Sequence, residues 1–472
     1  MKARNKKILV AAVFVFCLGS FVKADLTGQI DAIISESLQQ RVQFSIHIVE
    51  ADSGSTVYDH NAKELMIPAS NMKIIVTAAA LKYLGPDFEY RTKVGLCNDT
   101  LVLIGSGDPL LGDEKTDVKY GREPGWIFKD IANILKGKGV ETIQDIIVDS
   151  SIFDNQLVHP RWPTEELNKW YACEISGLNY INNCVKISTK NIGGEVAVFI
   201  EPQTSFVTLI NKVVPISTGT GAVGTYRNSQ HNKLTVYGKC KDTVGPFDVA
   251  IERPAAFFGY LLAEHLTQTG IITKGQLIEQ ELDAVNDFKL LTEYSTSLAD
   301  CLARCNKNSL GLAAEALLKT IAAANNPDGK NGSWARGREL IAQYLLELGI
   351  DESQFYIDDG SGLSRQNELS AYAITTVLSD IYKGDSWQLY KDSLAVGGVD
   401  GTIAKYFKEE KYEGKILGKT GYINSVKSLS GLCITENGDY IFSIITNNTN
   451  GQTRTVINNI AQAIIDSELQ SD

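Results

Sequence analysis

Residues 68–81 read PASNMKIIVTAAAL. Pro68 suits the start of a helix, where its missing amide hydrogen is not needed. The run from Ile74 to Leu81 is almost entirely apolar and small, which predicts a helix buried on all sides. Ser70 then lies in the first turn, near the positive end of the helix dipole, and Lys73 lies three residues on along the same face.

This spacing places a serine hydroxyl within reach of a lysine amine. Serine is a weak nucleophile unless a base removes its proton, and lysine can do so only if its pKa falls from about 10.4 toward 7. A shift of roughly 3 units costs about 4 kcal/mol, and burial or a second nearby cation would cause it. A Ser-x-x-Lys motif also arises by chance about once in a few hundred positions.

The two ends of the chain show matching patterns. A helical apolar pattern starting at Leu26 precedes strict alternation from Val42 to Ile48, which predicts a helix and then a strand. Near the other end, residues 427–435 and 440–446 are typical of strands, and Asn437-Gly438 between them is a hairpin signal. A final helix follows. This pattern favours one sheet built from both chain ends and covered by the two terminal helices.

The pattern of apolar residues changes twice in the middle of the chain. Residues 87–286 show short alternating segments with few convincing helices, which predicts a β-rich insertion with room for one large or two small domains. The following hundred residues are helical in pattern. Helices are expected at 295–305, 310–324, 335–348 and 370–383.

Lys419-Thr420-Gly421 follows the helical block and leads into the terminal strands. A lysine at a strand edge with an adjacent hydroxyl can bind a substrate carboxylate, and glycine lets a substrate backbone approach closely. Taken alone, the triplet is equally explained as a turn before a strand. An early Ser-x-x-Lys motif followed by a late Lys-Thr-Gly motif is far more specific than either motif by itself.

In this order the motifs resemble the signature shared by penicillin-binding proteins and serine β-lactamases. The third element of that signature, Ser-x-Asn, has its counterpart in Ser309-Leu310-Gly311, with Gly311 where the family has Asn. Lys73 and Ser309 are 236 positions apart. This distance fits the D-Ala-D-Ala carboxypeptidase/endopeptidase branch of low-molecular-mass penicillin-binding proteins (class C type), which carries a large insertion after the nucleophile helix.

The resemblance implies an α/β fold, in which a transpeptidase/β-lactamase-like domain of antiparallel sheet, helices and helical block is interrupted by inserted β-rich domains. We expect the following division: signal peptide 1–24; catalytic domain 25–86 and 287–472; inserted domain 87–187 and 251–286; second, small β-rich inserted domain 188–250.

The resemblance also implies an acyl-enzyme mechanism on peptidoglycan stem peptides, with β-lactam antibiotics acylating the same serine. Ser70 would be the nucleophile, Lys73 its base and Ser309 the proton relay to the leaving amine. Lys419 and Thr420 would hold the substrate carboxylate, with Gly421 beside it. The backbone N–H groups of Ser70 and Tyr422 would stabilise the oxyanion. No metal or organic cofactor is needed.

Gly311 is the clearest departure from the family pattern. If the usual Asn donates to the substrate or orients Lys73, its loss should cost roughly 3 kcal/mol, or about a hundredfold in rate. On that view glycine leaves a gap, and Gly311→Asn should accelerate acylation. The alternative is that another group fills the space.

Three further sequence segments resemble segments of the same family. Glycine-rich turns explain them equally well, so they are assigned no chemistry. They are Gly105-Ser106-Gly107-Asp108-Pro109, Asp359-Gly360-Ser361-Gly362-Leu363-Ser364-Arg365 and Gly398-Val399-Asp400-Gly401-Thr402.

Composition and the N-terminal residues place the protein outside the cytoplasm. A basic start, an apolar run from Ile8 to Val22 and small residues before Asp25 predict a cleaved signal peptide. Its removal lowers the net charge from -11 to about -16, which argues against a nucleic-acid partner. No later run is long enough to predict a transmembrane anchor in the mature chain. We expect a periplasmic or other extracytoplasmic protein, soluble or peripherally associated with the membrane.

Cysteine and histidine spacing predicts neither a disulfide framework nor a metal site. Seven cysteines remain after residue 24, an odd number without regular spacing. The five histidines never stand three to five residues apart, so the spacing of a zinc site is missing.

Two alternatives remain open at this point. Glu166-Leu167-Asn168 resembles the segment with which class A β-lactamases activate the deacylating water, but Thr164 stands at the water-activating position and the segment precedes Ser309. The second alternative is a non-catalytic peptidoglycan-binding scaffold, suggested by Gly311 and by Tyr422, where Ser or Thr usually follows Lys-Thr-Gly.

Overall fold

A computed structural model describes residues 18–282 and 287–469. The four helices expected in the helical block are present within three residues of their predicted bounds. The helices are α1 (Leu18–Ile34), α2 (Met72–Leu84), α3 (Glu114–Lys119), α4 (Trp126–Gly137), α5 (Pro254–Gln268), α6 (Leu298–Lys307), α7 (Gly311–Ala324), α8 (Trp334–Glu347), α9 (Ala371–Lys383), α10 (Trp387–Ser393) and α11 (Thr453–Leu469).

The strands form a six-stranded antiparallel sheet, a five-stranded mixed sheet and several smaller sheets. They are β1 (Gln43–Glu50), β2 (Thr56–His60), β3 (Glu89–Cys97), β4 (Thr100–Ile104), β5 (Thr142–Ile143), β6 (Ile146–Asp149), β7 (Cys184–Ile192), β8 (Glu195–Glu201), β9 (Thr208–Pro215), β10 (Ala222–Arg227), β11 (Lys233–Cys240), β12 (Thr243–Ala250), β13 (Ile272–Thr273), β14 (Leu277–Glu279), β15 (Phe288–Ser297), β16 (Phe355–Tyr356), β17 (Glu368–Leu369), β18 (Ala395–Val396), β19 (Ile416–Ile423), β20 (Val426–Cys433) and β21 (Tyr440–Asn447).

The largest sheet joins the two ends of the chain. Its order is β18-β19-β20-β21-β1-β2, and every neighbouring pair is antiparallel. Strand β1 pairs along its whole length with β21. Helices α1 and α11 pack together over this sheet, where Ile30, Ile457 and Ile460 are fully buried. The predicted sheet of both chain ends, covered by the terminal helices, is confirmed.

Helix α2 lies within the largest hydrophobic core of the described structure. It packs against α7 and α9, and α9 in turn packs on β1 and β21. Every residue from Met72 to Ala80 is buried, which confirms the predicted all-round burial. Each buried side chain such as Ile74 or Ile75 stabilises the fold by about 1.5–3 kcal/mol relative to an exposed one. The helix is therefore a rigid base for the residues at its start.

The insertion contains a five-stranded mixed sheet and two three-stranded sheets. Their orders are β14-β6-β4-β3-β15, β12-β7-β8 and β10-β11-β9. The described part of the insertion has few helices, as predicted, but the sequence analysis did not identify α4 and α5, which pack together, with α5 also packing on the mixed sheet. The signal was present: Ile127, Ile131 and Leu135 recur every four residues and are buried. Pro254 marks the first position of α5.

Strand pairing suggests where the parts of the chain meet. Strand β15 pairs with β3 of the inserted sheet, and β7 pairs with β12 of a small sheet. We propose the division expected from the sequence with two boundaries moved: the catalytic part resumes near residue 298, and the small β-rich domain begins near residue 184.

Candidate active site

The turn that carries Ser70 is held against the main sheet. Residues Ala69–Asn71 form a short 3-10 turn leading directly into α2, so Ser70 lies two residues before the first residue of the α-helix. The Ser428 hydroxyl on β20 donates to the Pro68 carbonyl at 2.8 Å, and the Asn71 side chain donates to Ser430 at 2.6 Å. A Cβ atom at Gly421 would lie 2.7 Å from the same Pro68 carbonyl, so glycine is needed for this approach of strand and turn.

Lys73 is buried directly beside Ser70. Its Nζ donates to Ser70 Oγ at 3.0 Å and to the Ser361 carbonyl at 2.5 Å. Burial lowers the pKa of Lys73, against the opposing pull of Cys305, Glu315 and Asp359. A neutral lysine has a lone pair that can accept the serine proton. The structure thus brings together the two residues that the sequence pairs as nucleophile and base.

Ser309 and Lys419 form a second contacting pair, close enough to Lys73 for its charge to act on Lys419. Ser309 lies in the turn between α6 and α7 with a φ of 60°. Lys419, in the middle of β19, is fully buried and donates to Ser309 Oγ at 2.9 Å and to the Thr420 carbonyl at 2.7 Å. Burial holds the pKa of Lys419 well below its ordinary value, and electrostatic repulsion between its ammonium form and the neighbouring Lys73 amine lowers this pKa further. An anionic substrate group beside Lys419 would favour the protonated amine.

The end of β19 faces solvent. The Thr420 hydroxyl is 2.8 Å from that of Thr402, and the Tyr422 side chain is 71% exposed. Arg454 on α11 donates to the Gly421 carbonyl at 3.0 Å and the Ser428 carbonyl at 3.1 Å, which ties β19 to β20. Sequence reasoning missed both Thr402 and Arg454. Thr402 ends one of the sequence segments assigned no chemistry.

The sequence reasoning also missed a loop beside Lys73. The Ser361 carbonyl accepts a hydrogen bond from Lys73 Nζ and a longer one, at 3.4 Å, from the Ser70 hydroxyl. The next residue, Gly362, has a φ of 80° and lies against the Ala69 carbonyl, a position where a side chain would clash. The sequence analysis explains residues 359–365 as a glycine-rich turn, and a backbone carbonyl has no signature in a sequence that would indicate its role.

Gly311 does not border an empty gap. It is the buried first residue of α7, and a Cβ atom there would lie 3.1 Å from the Tyr171 carbonyl and 3.8 Å from Ser361 Cβ. Lys73 already has an acceptor in the Ser361 carbonyl. We therefore revise the expectation drawn from the sequence: the neighbourhood of Gly311 is closed by Tyr171 and Ser361.

The first prediction follows from this packing. Gly311→Ala should slow acylation by penicillin roughly two- to tenfold, because the Tyr171 carbonyl must move by a few tenths of an ångström. Gly311→Asn should be slower still. Second-order acylation constants for the wild type and both variants decide this. Faster acylation of Gly311→Asn together with a neutral Gly311→Ala would show that a donor is missing after all.

The segment similar to the β-lactamase motif lies in a different setting. Thr164–Glu166 is a 3-10 turn of the insertion. The buried side chain of Asn168 donates to the Thr225 carbonyl at 2.6 Å and to its hydroxyl at 3.0 Å, which ties it to β10. Asn168 therefore holds the insertion together.

Comparison with known proteins identifies what the fold and site resemble. Residues 26–467 match the model of the D-Ala-D-Ala carboxypeptidase 3 (S13) family. A D-alanyl-D-alanine carboxypeptidase of Actinomadura sp. (strain R39) is 29% identical over 461 residues, covering 90% of this chain and 82% of that protein.

Among solved structures, penicillin binding protein 4 (dacB) from Haemophilus influenzae superposes with a TM-score of 0.78 at 21% identity, covering 94% of this chain and 98% of that chain. The same protein complexed with a β-lactam gives a TM-score of 0.73, at 21% identity and the same coverage of both chains. At this identity the two structures show a shared fold, and they confirm the expected fold class.

Proposed function

The chain belongs to the D-Ala-D-Ala carboxypeptidase 3 (S13) family, and we propose that Ser70 is the nucleophile through which it acts. It is a serine-type D-Ala-D-Ala carboxypeptidase, so the alternative of a non-catalytic scaffold is set aside. The observation that supports the assignment of Ser70 is its 3.0 Å contact with the buried amine of Lys73.

In the proposed acylation step, Ser70 Oγ attacks the carbonyl carbon of the penultimate D-Ala while its proton passes to Lys73 Nζ. The oxyanion lies between the backbone N–H groups of Ser70 and Tyr422. The C–N bond then breaks, and Ser309 gives its hydroxyl proton to the leaving nitrogen. Lys419 donates to Ser309 Oγ and is placed to replace that proton.

The leaving group and the deacylation step complete the proposal. Lys419 and Thr420 hold the carboxylate of the departing D-amino acid, and Gly421 allows the substrate backbone to approach the strand. Water then attacks the acyl-enzyme and releases the shortened stem peptide from Ser70. An endopeptidase reaction uses the same carbonyl, with a cross-linking diamino acid in place of the terminal D-Ala.

We propose peptidoglycan stem peptides as the natural substrate and β-lactams as acylating inhibitors of Ser70. The assay is release of D-Ala from an N-acylated pentapeptide that ends in D-Ala-D-Ala. The wild type should release D-Ala, and prior treatment with penicillin should block the release. A rival β-lactamase activity predicts that inhibition is short-lived, because the acyl group would be hydrolysed rapidly instead of persisting.

We propose that the protein is exported. Within the described parts of the chain, no helix is both long enough and apolar enough to cross a membrane. The signal peptide predicted at 1–24 lies largely outside the described residues, which begin at residue 18.

The second prediction concerns this processing. Protein recovered from the extracytoplasmic fraction of the cells that produce it should begin at Asp25, because the basic, apolar and small-residue regions occur in the order that a signal peptidase requires. N-terminal sequencing measures this directly. Recovery of chains that still begin at Met1 from the membrane fraction would instead show an uncleaved anchor.

A further inference from the structure

Glu315 is a buried carboxylate for which the proposed mechanism has no role. It lies one turn beyond Gly311 on α7 and is fully buried. One carboxylate oxygen accepts from the Ser361 amide at 2.7 Å. The other accepts from the Gly360 amide at 2.9 Å and from the Trp334 indole at 2.8 Å. All three partners are donors, which is the pattern that an ionised carboxylate satisfies.

Asp359 fixes the peptide group on the other side of Ser361, the one that joins Ser361 to Gly362. Its Oδ1 accepts from the Gly362 amide at 2.8 Å and from the Asn367 side chain at 2.7 Å. Its Oδ2 accepts from the Trp162 indole at 2.8 Å and from the Ser364 amide at 2.6 Å. Asp359 is also fully buried.

These contacts determine where the Ser361 carbonyl points. A trans peptide group carries its C=O and N–H on opposite sides of one plane. The Gly362 N–H shares its plane with the Ser361 carbonyl, so fixing this N–H on Asp359 aims the carbonyl the other way. Glu315 fixes the preceding peptide group. The Ser361 carbonyl then reaches Lys73 Nζ at 2.5 Å.

We propose that Glu315 and Asp359 are positioning residues, which hold the Ser361 carbonyl against Lys73 and thereby aim the lysine at Ser70. This inference rests on the proposed function, since it assigns Lys73 the role of base. It also explains how Lys73 is oriented in a chain that has glycine at position 311. In the described part of the chain, the hydrogen bonds of the Ser70 hydroxyl go to Ser361 and Lys73, and neither carboxylate is among its partners.

The third prediction tests this with matched pairs of variants. Glu315→Gln replaces an acceptor oxygen by a donor that faces other donors, so the 360–361 peptide must shift. Trp334→Phe removes one donor from the same carboxylate and leaves the two amides in place. Asp359→Asn and Trp162→Phe form the second pair. Burial raises the pKa of Glu315 to about 7, so measurements at pH 8 keep it ionised.

Stopped-flow measurement of acylation by a fluorescent penicillin gives a limiting first-order constant and a half-saturating penicillin concentration for each folded variant. The concentration of active enzyme is determined by active-site titration. Glu315→Gln and Asp359→Asn should lower the limiting constant about tenfold or more, with little change in half-saturation. Trp334→Phe and Trp162→Phe should stay within about threefold of the wild type, even where thermal denaturation shows them less stable.

A limiting constant in Glu315→Gln equal to that of the wild type, or an equal loss in Trp334→Phe, would overturn the proposal. If Glu315→Gln does not fold, the comparison of Asp359→Asn with Trp162→Phe decides in the same way. A wild type that takes up no penicillin contradicts the proposed function itself. A wild type that reacts alongside an equally fast Glu315→Gln contradicts only the positioning role.

Discussion

Replacing Ser70 with alanine is expected to reduce D-Ala release by about 10⁴-fold or more. At the start of α2, the Ser70 hydroxyl is the group that contacts the amine of Lys73, at 3.0 Å. Without it no acyl-enzyme forms, and the donors around the scissile carbonyl supply only residual catalysis. Steady-state D-Ala release from the pentapeptide measures the loss.

The stability of this variant separates chemistry from folding. The Ser70 hydroxyl accepts from Lys73 Nζ at 3.0 Å and donates a long hydrogen bond, 3.4 Å, to the Ser361 carbonyl. Lys73 keeps the Ser361 carbonyl as its acceptor when Ser70 is replaced, so the melting temperature of the variant should stay close to that of the wild type. Ser53→Ala is the matched control, because Ser53 is exposed and its hydroxyl bonds, among the described residues, the Glu50 carboxylate and the Ser55 amide. Undiminished D-Ala release by Ser70→Ala would remove Ser70 from the mechanism.

Lys73→Arg is expected to lower the acylation rate by about a thousandfold. Arginine keeps the positive charge but has a pKa above 12, so it cannot take the proton of Ser70. Lys73→Met should lose as much, because it removes the amine while keeping a similar length. The limiting first-order constant for penicillin acylation is the quantity to measure.

The two lysine variants should differ in stability. Burial lowers the pKa of Lys73, which means that the native site disfavours a charged amine. Methionine removes that desolvation cost, so Lys73→Met should be as stable as the wild type or more stable, whereas Lys73→Arg should be less stable. Substantial acylation by Lys73→Met would show that the serine proton goes elsewhere.

Patterns of buried apolar residues made much of the fold predictable. The apolar run from Ile74 to Leu81 predicts a helix whose side chains are buried on all sides, and the structure has this helix within its largest hydrophobic core. The alternation from Val42 to Ile48 predicts a strand, and the structure has this strand in the sheet shared by both chain ends. The helices of the insertion were missed because short alternating strands surround them. The four-residue spacing of Ile127 and Ile131 was a readable signal that was overlooked.

The site was predictable where chemistry depends on side chains in a motif. The structure brings Ser70 to Lys73 and Ser309 to Lys419, as the motifs indicate. The part of the site that depends on the backbone could not be predicted. The Ser361 carbonyl is positioned by hydrogen bonds that involve residues far apart in the chain. The packing of Gly311 against Tyr171 likewise depends on a contact across 140 positions.

The most direct test of the central claim is to locate the penicilloyl group by mass spectrometry. Trypsin should release the peptide ELMIPASNMK, residues 64–73, in which Ser70 is the only hydroxyl. The account predicts one penicilloyl group per wild-type chain, carried on this peptide, and none on Ser70→Ala. An adduct on another peptide, an adduct that persists in Ser70→Ala, or an unlabelled wild type at millimolar penicillin would contradict the assignment of Ser70 as the nucleophile.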